Sequence, residues 1–490
     1  MRAADHLPER FNAAQYFVGR NVALGRGDSP ALITDQSTVT YRELDLAVRG
    51  FAGSLIERGL RSGERVVIFL PDSPAWSIAF WGTIAAGGVA VPLNTSLRES
   101  ERELILADCA PFTVLDDPEQ VVRDARHAPF DYASTHRDGF CFFLYSSGTT
   151  GEPKGVVHLQ HDMWVCARTY GEQVLCTRTS DRAFSVAKLF FAYGLGNAQY
   201  FPMDVGAAAI LYPERPTPQA VFDQVRRHKP TLFFAVPTAY AQMLAAMDEG
   251  VKADFSSVRV CVSAGESLPP ALFNRWQAQT GLEICDGIGT TEITHMFMAN
   301  MPGGAVAGAS GRPVPGYDVR IVDENGRDCA DNEIGDLLVR GDSTMAFYWN
   351  KHERTKATLE GEWIRTGDKY RRDGEGIYWH AGRSDDMLKV SGMWVSPVEV
   401  ENIIAEHDAI LECAVVGRED DDGLVKPHAY VVLRAANFAS EDLQTELQDF
   451  VKDRLTPHKY PRWVTVVNSL PKTATGKTQR FVLREATTEV

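Results

Sequence analysis

The chain has 490 residues, 44% of them hydrophobic and 23% charged, and a net charge of −15. Its length exceeds one hydrophobic core, so two or more domains are expected, and its composition is that of an ordinary globular protein. The acidic balance argues against a general nucleic-acid binder, whose footprint is basic.

The charge is uneven. From residue 451 onward eight basic residues face three acidic ones, a local bias that suits a small polyanion such as a nucleotide. The eight cysteines are scattered without a Cys-x-x-Cys pair, so neither a zinc site nor a disulfide framework is expected. Residues 1–6 lack the apolar core of a signal peptide. No apolar run approaches the length of a membrane span, and even 79–92 is short and broken by glycines. A cytoplasmic location, with no membrane or nucleic-acid partner, is expected.

In chain order, a buried strand is expected at 65–70. A second apolar run, Phe142-Phe143-Leu144, leads into Tyr145-Ser146-Ser147-Gly148-Thr149-Thr150-Gly151-Glu152-Pro153-Lys154-Gly155. Its glycines admit a ligand close to the backbone, and its hydroxyls and N–H groups can surround phosphate oxygens. It is not a Walker loop, because Lys154 is followed by Gly155 rather than Ser or Thr. Strands are then expected at 207–212, 231–236 and 258–262, with amphipathic helices at 218–228 and 238–248 between them. Such alternation predicts parallel α/β sheets. The next helix is expected after Ser263-Ala264-Gly265-Glu266-Ser267, with Ser267 as its cap and Pro269-Pro270 in its first turn.

A strand at 282–285 precedes Asp286-Gly287-Ile288-Gly289-Thr290-Thr291-Glu292, where the glycines would let a flat ring or phosphate approach. Glu292 is a candidate Mg²⁺ ligand, since a hard cation prefers carboxylate and phosphate oxygens. Beyond about residue 300, short strands at 319–322 and 336–340 with a turn at 324–326 read as a β-rich module. Within Trp363-Ile364-Arg365-Thr366-Gly367-Asp368, Asp368 is placed to take both hydroxyls of a ribose. Gly382-Arg383-Ser384-Asp385-Asp386 opens a last α+β unit, with helices at 396–407 and 440–455 and strands at 412–416, 429–433 and 463–467. Pro471-Lys472-Thr473-Ala474-Thr475-Gly476-Lys477-Thr478 ends like a Walker loop, but Pro471 stands where the first glycine is required.

Each segment alone could be a turn or a solvated charge cluster. Together, in this order, they resemble the acyl-adenylate-forming superfamily, nearest the benzoate-CoA ligase group. The resemblance covers essentially the whole chain. It is carried further by Lys188-Leu189-Phe190-Phe191-Ala192-Tyr193-Gly194-Leu195-Gly196-Asn197 and Gly311-Arg312-Pro313-Val314-Pro315-Gly316-Tyr317. Ile288 departs from the aromatic residue most of the superfamily places beside adenine, and is shared with the benzoate-type group.

The resemblance implies an α/β enzyme. A large N-terminal domain, 1–384, would combine parallel-type α/β sheets with the β-rich module. A small mobile α+β domain, 385–490, would turn about a hinge at Asp385. It implies an ATP-dependent aryl-CoA ligase that forms aryl-AMP and pyrophosphate, then aryl-CoA and AMP, with Mg²⁺ and coenzyme A. Lys477 would be the catalytic lysine, with Thr291 on the α-phosphate, Glu292 on Mg²⁺, and His295 polarising the carboxylate or completing a hydrogen-bond network. A flexible loop over 146–155, carrying Ser146, Ser147, Gly148, Thr149, Thr150, Gly151 and Lys154, would cradle the β- and γ-phosphates. Gly265, Glu266, Asp286, Gly287, Ile288 and Gly289 would line the adenine slot, and Asp368 and Arg383 would hold the ribose. Phe191, Ala192, Tyr193, Ala264, Gly289, His295 and Met296 would line an aryl pocket.

In the second step Lys389 and the Ser391-Gly392 turn would enter the site and admit the pantetheine arm. No acid stands in 189–197 to pair an amino acid's ammonium. Benzoate leads, while Tyr193, Thr294 or His295 could meet a ring hydroxyl or amine. Hydroxybenzoate and 2-aminobenzoate (anthranilate) therefore stay open. Free CoA is the expected acceptor because no carrier domain follows Lys477, with a separate carrier protein as the alternative. The chain would work as a monomer or homodimer. A rival of another class is a P-loop-like NTPase or nucleotide-binding switch, which would yield ADP rather than AMP.

Overall fold

The computed structural model describes all residues except 1–5, 148–152, 391–392, 421–422, 436–437, 439–441, 473–477 and 489–490, together with all side chains of those described residues but 147, 394 and 486–488. The protein is an α/β molecule with a large N-terminal and a smaller C-terminal domain. Two mixed sheets build most of the large part. The nine-stranded sheet has a parallel centre, in which Val260–Ser263 lies between Leu232–Ala235 and Ile284–Gly289. The six-stranded sheet runs from Phe347–Tyr348 through the hairpin Pro153–Leu159 and Phe140–Ser147 to the parallel strands Val89–Pro92, Arg65–Ile68 and Thr113–Leu115. The expected parallel sheets are therefore present, with antiparallel strands added at their edges.

Local chemistry explains several limits. Thr217 accepts from the Ala220 N–H, Pro218 holds the first position, and three basic residues fill the last turn, so the helix runs Pro218–His228 as expected. Ser73 caps Pro74–Ala85 in the same way. That helix is apolar all round because it is buried all round, with Trp76, Phe80 and Trp81 fully inaccessible. Among the described residues no helix is long and apolar enough to cross a membrane.

One expectation needs correction. The helix after residue 267 is Pro270–Thr280 with Pro269 at its N-cap, so Ser267 does not cap it. The Ser267 hydroxyl instead lies 2.6 Å from His380 Nδ1, in the β-rich module.

The β-rich module is a five-stranded antiparallel sheet containing Asp318–Val322, Gly335–Arg340, Trp363–Arg372 and Tyr378–Arg383. Beyond it, Leu388, Val400, Ile404, Val415, Val431, Leu447 and Val451 form a separate small core. Its helix Pro397–Ile404 starts at Ser396, which accepts from the Glu399 N–H. Strands Ile410–Glu419 and Val425–Leu433 are longer than expected.

Candidate active site

Two of the segments expected to meet the nucleotide stand at the carboxyl ends of parallel strands, where open α/β sheets bind ligands. Gly265 and Glu266 follow strand Val260–Ser263 directly. The Asp286–Gly289 motif does not follow its strand but forms its carboxyl half. There the pairing changes hand. Ser263 and Asp286 are parallel partners, while Gly287 faces Ala299 and Gly289 faces Met296 across an antiparallel ladder. A Cβ on Gly287 would stand 2.6 Å from the Met298 carbonyl oxygen, and one on Gly289 would stand 2.5 Å from that of His295. Close packing of the neighbouring strand therefore requires both glycines, whatever ligand approaches them. Ile288, half-buried between them, pairs with Met298. Asp286 is buried, and burial raises its carboxyl well above the ordinary carboxylate range.

The phosphate segment is a hairpin. Ser146 pairs with Lys154 and Ser147 with Pro153, so residues 146–147 and 153–155 are strand, where a flexible loop over 146–155 is expected from the sequence. Gly148, Thr149, Thr150 and Gly151 lie outside the described residues. Strand alternation places Lys154 and His158 on one face, and both meet the Thr291–Ile293 turn. Lys154 Nζ donates to Glu292 Oε1 at 2.8 Å and to the Tyr348 hydroxyl at 3.0 Å. Tyr348 in turn donates to the same Glu292 oxygen at 2.7 Å. Burial alone would raise the Glu292 carboxyl, but the Lys154 charge and these hydrogen bonds hold it down to about 2.

His158 supports the same turn from below. It is fully buried, with Nε2 2.8 Å from the Thr291 carbonyl oxygen and Nδ1 2.9 Å from Asp162 Oδ2. Thr294 has φ of 72°, an outlying conformation for a β-branched residue. Its hydroxyl is tied to Ser343 O at 3.1 Å and to His158 Nδ1 at 3.1 Å. Tyr348, His158 and Asp162 are absent from the sequence-based reading. The alternating pattern of 153–159 could have pointed to His158, whereas Tyr348 reaches the site only through tertiary packing.

The expected ribose pair comes together. Asp368 and Arg383 are cross-strand partners, and Arg383 Nη1 lies 3.1 Å from Asp368 Oδ1. His380 Nε2 is 3.8 Å from the same carboxylate oxygen, and through Ser267 it links this pair to the Gly265-Glu266 segment. Glu266 accepts from the Thr238 hydroxyl at 3.0 Å.

Of the residues expected to line an aryl pocket, Tyr193 and His295 are brought together. His295 is 3% exposed and lies among the rings of Tyr170, Tyr193 and Phe201, at centroid distances of 5.3, 5.6 and 4.6 Å. Its Nε2 faces two acceptors, Asn197 Oδ1 at 3.2 Å and Tyr193 O at 3.4 Å. The Tyr193 hydroxyl donates to Val262 O at 3.2 Å and to Ala235 O at 3.3 Å, and so is turned to the backbone. Ala264 and Met296 are buried beside this wall, while Phe191 and Ala192 are partly exposed.

Burial lowers the His295 pKa to about 3, against an ordinary value of 6.5. The folded chain therefore binds one proton fewer than the unfolded chain between those values. Stability is fully present above pH about 6.5 and is lost as pH falls toward 3, by about 1.4 kcal/mol per pH unit from this group. Denaturant titrations across that window should show a shallower acid slope for His295→Gln than for the parent. Equal slopes would mean that His295 titrates normally.

Lys389 is exposed on the strand Leu388–Val390 of the small domain, and Ser391 and Gly392 lie outside the described residues. Asp385 is exposed between that strand and Tyr378–Arg383. Lys477 also lies outside the described residues, but its flanks are placed. Lys472 and Thr478 form an isolated antiparallel bridge, and Arg480 grips Glu401 through two hydrogen bonds of 2.9 and 2.8 Å.

A family model described as AMP-binding enzyme matches residues 20–349, and one described as AMP-binding enzyme C-terminal domain matches 399–477. A benzoate–CoA ligase of Thauera aromatica is 45% identical, over 98% of this chain and 97% of that protein. The crystal structure of the anthranilate CoA ligase AuaEII in complex with anthranoyl-AMP superposes with a TM-score of 0.94, at 40% identity, covering 99% of both chains. A benzoate CoA ligase from Burkholderia xenovorans LB400 superposes with a TM-score of 0.89, at 43% identity, covering 97% of this chain and 100% of that one.

Proposed function

The chain belongs to the family of AMP-binding enzymes, and on that premise we propose that it is an ATP-dependent, AMP-forming aryl-CoA ligase. A carboxylate is a poor electrophile. Its oxygen attacks the α-phosphorus of ATP, the bond to the β-phosphate oxygen breaks, and pyrophosphate leaves. The thiol of CoA then adds to the acyl carbon and gives its proton to solvent, and the bond between the acyl carbon and the phosphate oxygen breaks to release AMP. The first step brings two anions together, so preorganised cations dominate its catalysis.

The residues divide this work. Residues 146–151 and Lys154 hold the leaving phosphates, and Thr291 faces the α-phosphate. Asp368 and Arg383 hold the ribose, while Gly265, Glu266, Asp286 and Ile288 border the adenine. Lys477 bridges carboxylate and α-phosphate. The small domain turns about Asp385, between domains spanning 1–384 and 385–490. Lys389 and the Ser391-Gly392 turn then meet the pantetheine arm. The enzyme works in the cytoplasm as a monomer or homodimer.

The donor set fits Mg²⁺ delivered with ATP. Glu292 is ionised and already balanced by a cation, the Lys154 ammonium. Among the described residues no group of three or more His, Cys, Asp or Glu side chains could hold a metal unaided. Glu292 would hold the ion against phosphate oxygens, and the ion would supply charge neutralisation there.

Benzoate is the leading acid. One observation carries this reading: the Tyr193 and Thr294 hydroxyls, which could have met a ring substituent, are committed to Val262, Ala235 and Ser343 carbonyls. That leaves an aromatic, apolar wall. A second reading, 2-aminobenzoate, is favoured by His295 Nδ1, a buried ring nitrogen with no hydrogen-bond partner. An amine donor would satisfy it. The test is AMP release across benzoate, 2-aminobenzoate, hydroxybenzoates and alkyl acids, with CoA present. Benzoate is expected to have the highest kcat/KM. A preference of tenfold or more for 2-aminobenzoate would install the second reading, and ADP as product would defeat the ligase assignment.

A further inference from the structure

The segment 343–349 straps the Lys154 strand to the Glu292 turn. Phe347 and Tyr348 extend the sheet beside Val157 and Val156, and the Ala346 N–H donates to Val157 O at 2.9 Å. On the other side the Met345 N–H donates to Glu292 O at 2.8 Å, and the Ser343 hydroxyl donates to Ile293 O at 2.8 Å. Tyr348 is the side chain of this strap that enters the charge cluster. Its backbone position is fixed by the ladder and by the Tyr348 N–H donating to the Thr355 hydroxyl at 3.0 Å. Its ring lies under the Lys154 ammonium, 4.6 Å from Nζ to the centroid.

This arrangement has a consequence for nucleotide binding. As long as Lys154 is paired with Glu292, its charge is spent on the carboxylate. A phosphate chain that recruits Lys154 takes that partner away. Glu292, with a side chain 14% exposed, is then a partly desolvated anion. The Tyr348 hydroxyl, held by a strap that touches both elements, is the donor that stays. We propose that Tyr348 is a positioning residue. It keeps the Glu292 carboxylate aimed and ready for a divalent cation when Lys154 transfers to the phosphates. The inference rests on the ATP-dependent reading given above.

Tyr348→Phe isolates the hydroxyl, with its bonds to Glu292 and from Lys154, because the ring, its burial and its place under the Lys154 ammonium remain. Calorimetric titration with ATP should show about tenfold weaker binding in the presence of Mg²⁺, the usual worth of one hydrogen bond to a charged group. In EDTA the parent and the variant should bind ATP within about twofold, since phosphate contacts through Lys154 are unchanged. Mg²⁺-dependent binding that is unaltered, or binding weakened equally with and without Mg²⁺, would overturn the role. A cycle with Glu292→Gln adds a readout that a merely structural role would not move. In the Glu292→Gln background, Tyr348→Phe should cost less than twofold, whereas additive losses overturn the proposal.

Should Tyr348→Phe lose its melting transition, Tyr348→His restores a donor. Recovery of Mg²⁺-dependent binding supports the role, and a folded Tyr348→His variant without it overturns the role. Parent protein that forms no AMP with any aryl acid would retire the ligase reading instead, so the two failures are distinguishable.

Discussion

Lys477→Ala is expected to abolish aryl-AMP formation, by about 10³-fold, while leaving conversion of supplied aryl-AMP to aryl-CoA within about threefold of the parent. The asymmetry follows from where charge accumulates. In the adenylation transition state a carboxylate oxygen and an α-phosphate approach each other, and a lysine between them removes the repulsion. In the second step the electrophile is already a mixed acyl–phosphate anhydride and the incoming nucleophile is a thiol, so that lysine has no anion pair to bridge. The flanks of Lys477 make a local effect credible. The Lys472–Thr478 bridge closes the segment's base, and the Arg480–Glu401 pair anchors it three residues later. The Glu401 carboxylate beside it is the largest influence raising the Arg480 pKa further. Removal of the Lys477 side chain should therefore not unfold these flanks. The check is pyrophosphate release for the first half-reaction and thioester formation from synthetic aryl-AMP for the second. Full ATP-dependent activity in the variant would remove Lys477 from the mechanism.

Asp385→Pro should give the reverse pattern, with thioester formation falling at least about 10²-fold and pyrophosphate release within about threefold of the parent. Domain rotation concentrates large φ/ψ changes in a few residues. Proline fixes φ near −65° and so confines such a residue to one state. Asp385 sits between the last strand of the β-rich module and the first strand of the small domain. Immediately beyond it, Asp386 is gripped by Arg484 at 2.8 Å and lies 3.8 Å from Arg480. Arg484 Nη1 also donates to the Asp385 carbonyl oxygen at 3.3 Å. Asp386, Glu401, Arg480 and Arg484 all follow Asp385 in the chain, so with the proposed hinge there this ion-pair cluster would travel with the small domain and keep it rigid. Rotation is then thrown onto Asp385. Equal loss in both half-reactions would show that the substitution damages the site rather than the swing.

These predictions depend on features of unequal legibility. The helix Pro218–His228 could be read to the residue because its cap, its first-turn proline and its basic end are all local. The order of the glycine-rich, Thr-Thr-Glu, ribose-type and terminal lysine segments was equally visible, since each is a contiguous string. Ser267 misled for a comparable reason. It stands where a cap would stand, but His380, more than a hundred residues away, competes for its hydroxyl. Gly287 and Gly289 looked like room for a ligand. Their stricter demand comes from the antiparallel strand Met296–Ala299, whose approach no short window reveals. Tyr193 and Thr294 were candidates for a ring substituent, and backbone carbonyls supplied by other strands took both hydroxyls.

The sequence by itself determined the chemistry, because adenylation needs particular groups and those groups occur in short strings whose order is diagnostic. It also determined the α/β class, because hydrophobic period and turn residues act over windows of a few residues. Only the tertiary structure decided which charges meet. Lys154, Glu292 and Tyr348 are separated by 138 and 56 residues along the chain, and a three-way contact of side chains carries no periodic trace. Their pairing depends on an edge strand that adds to one sheet while hydrogen-bonding the turn of another. That relation exists only once both sheets have folded.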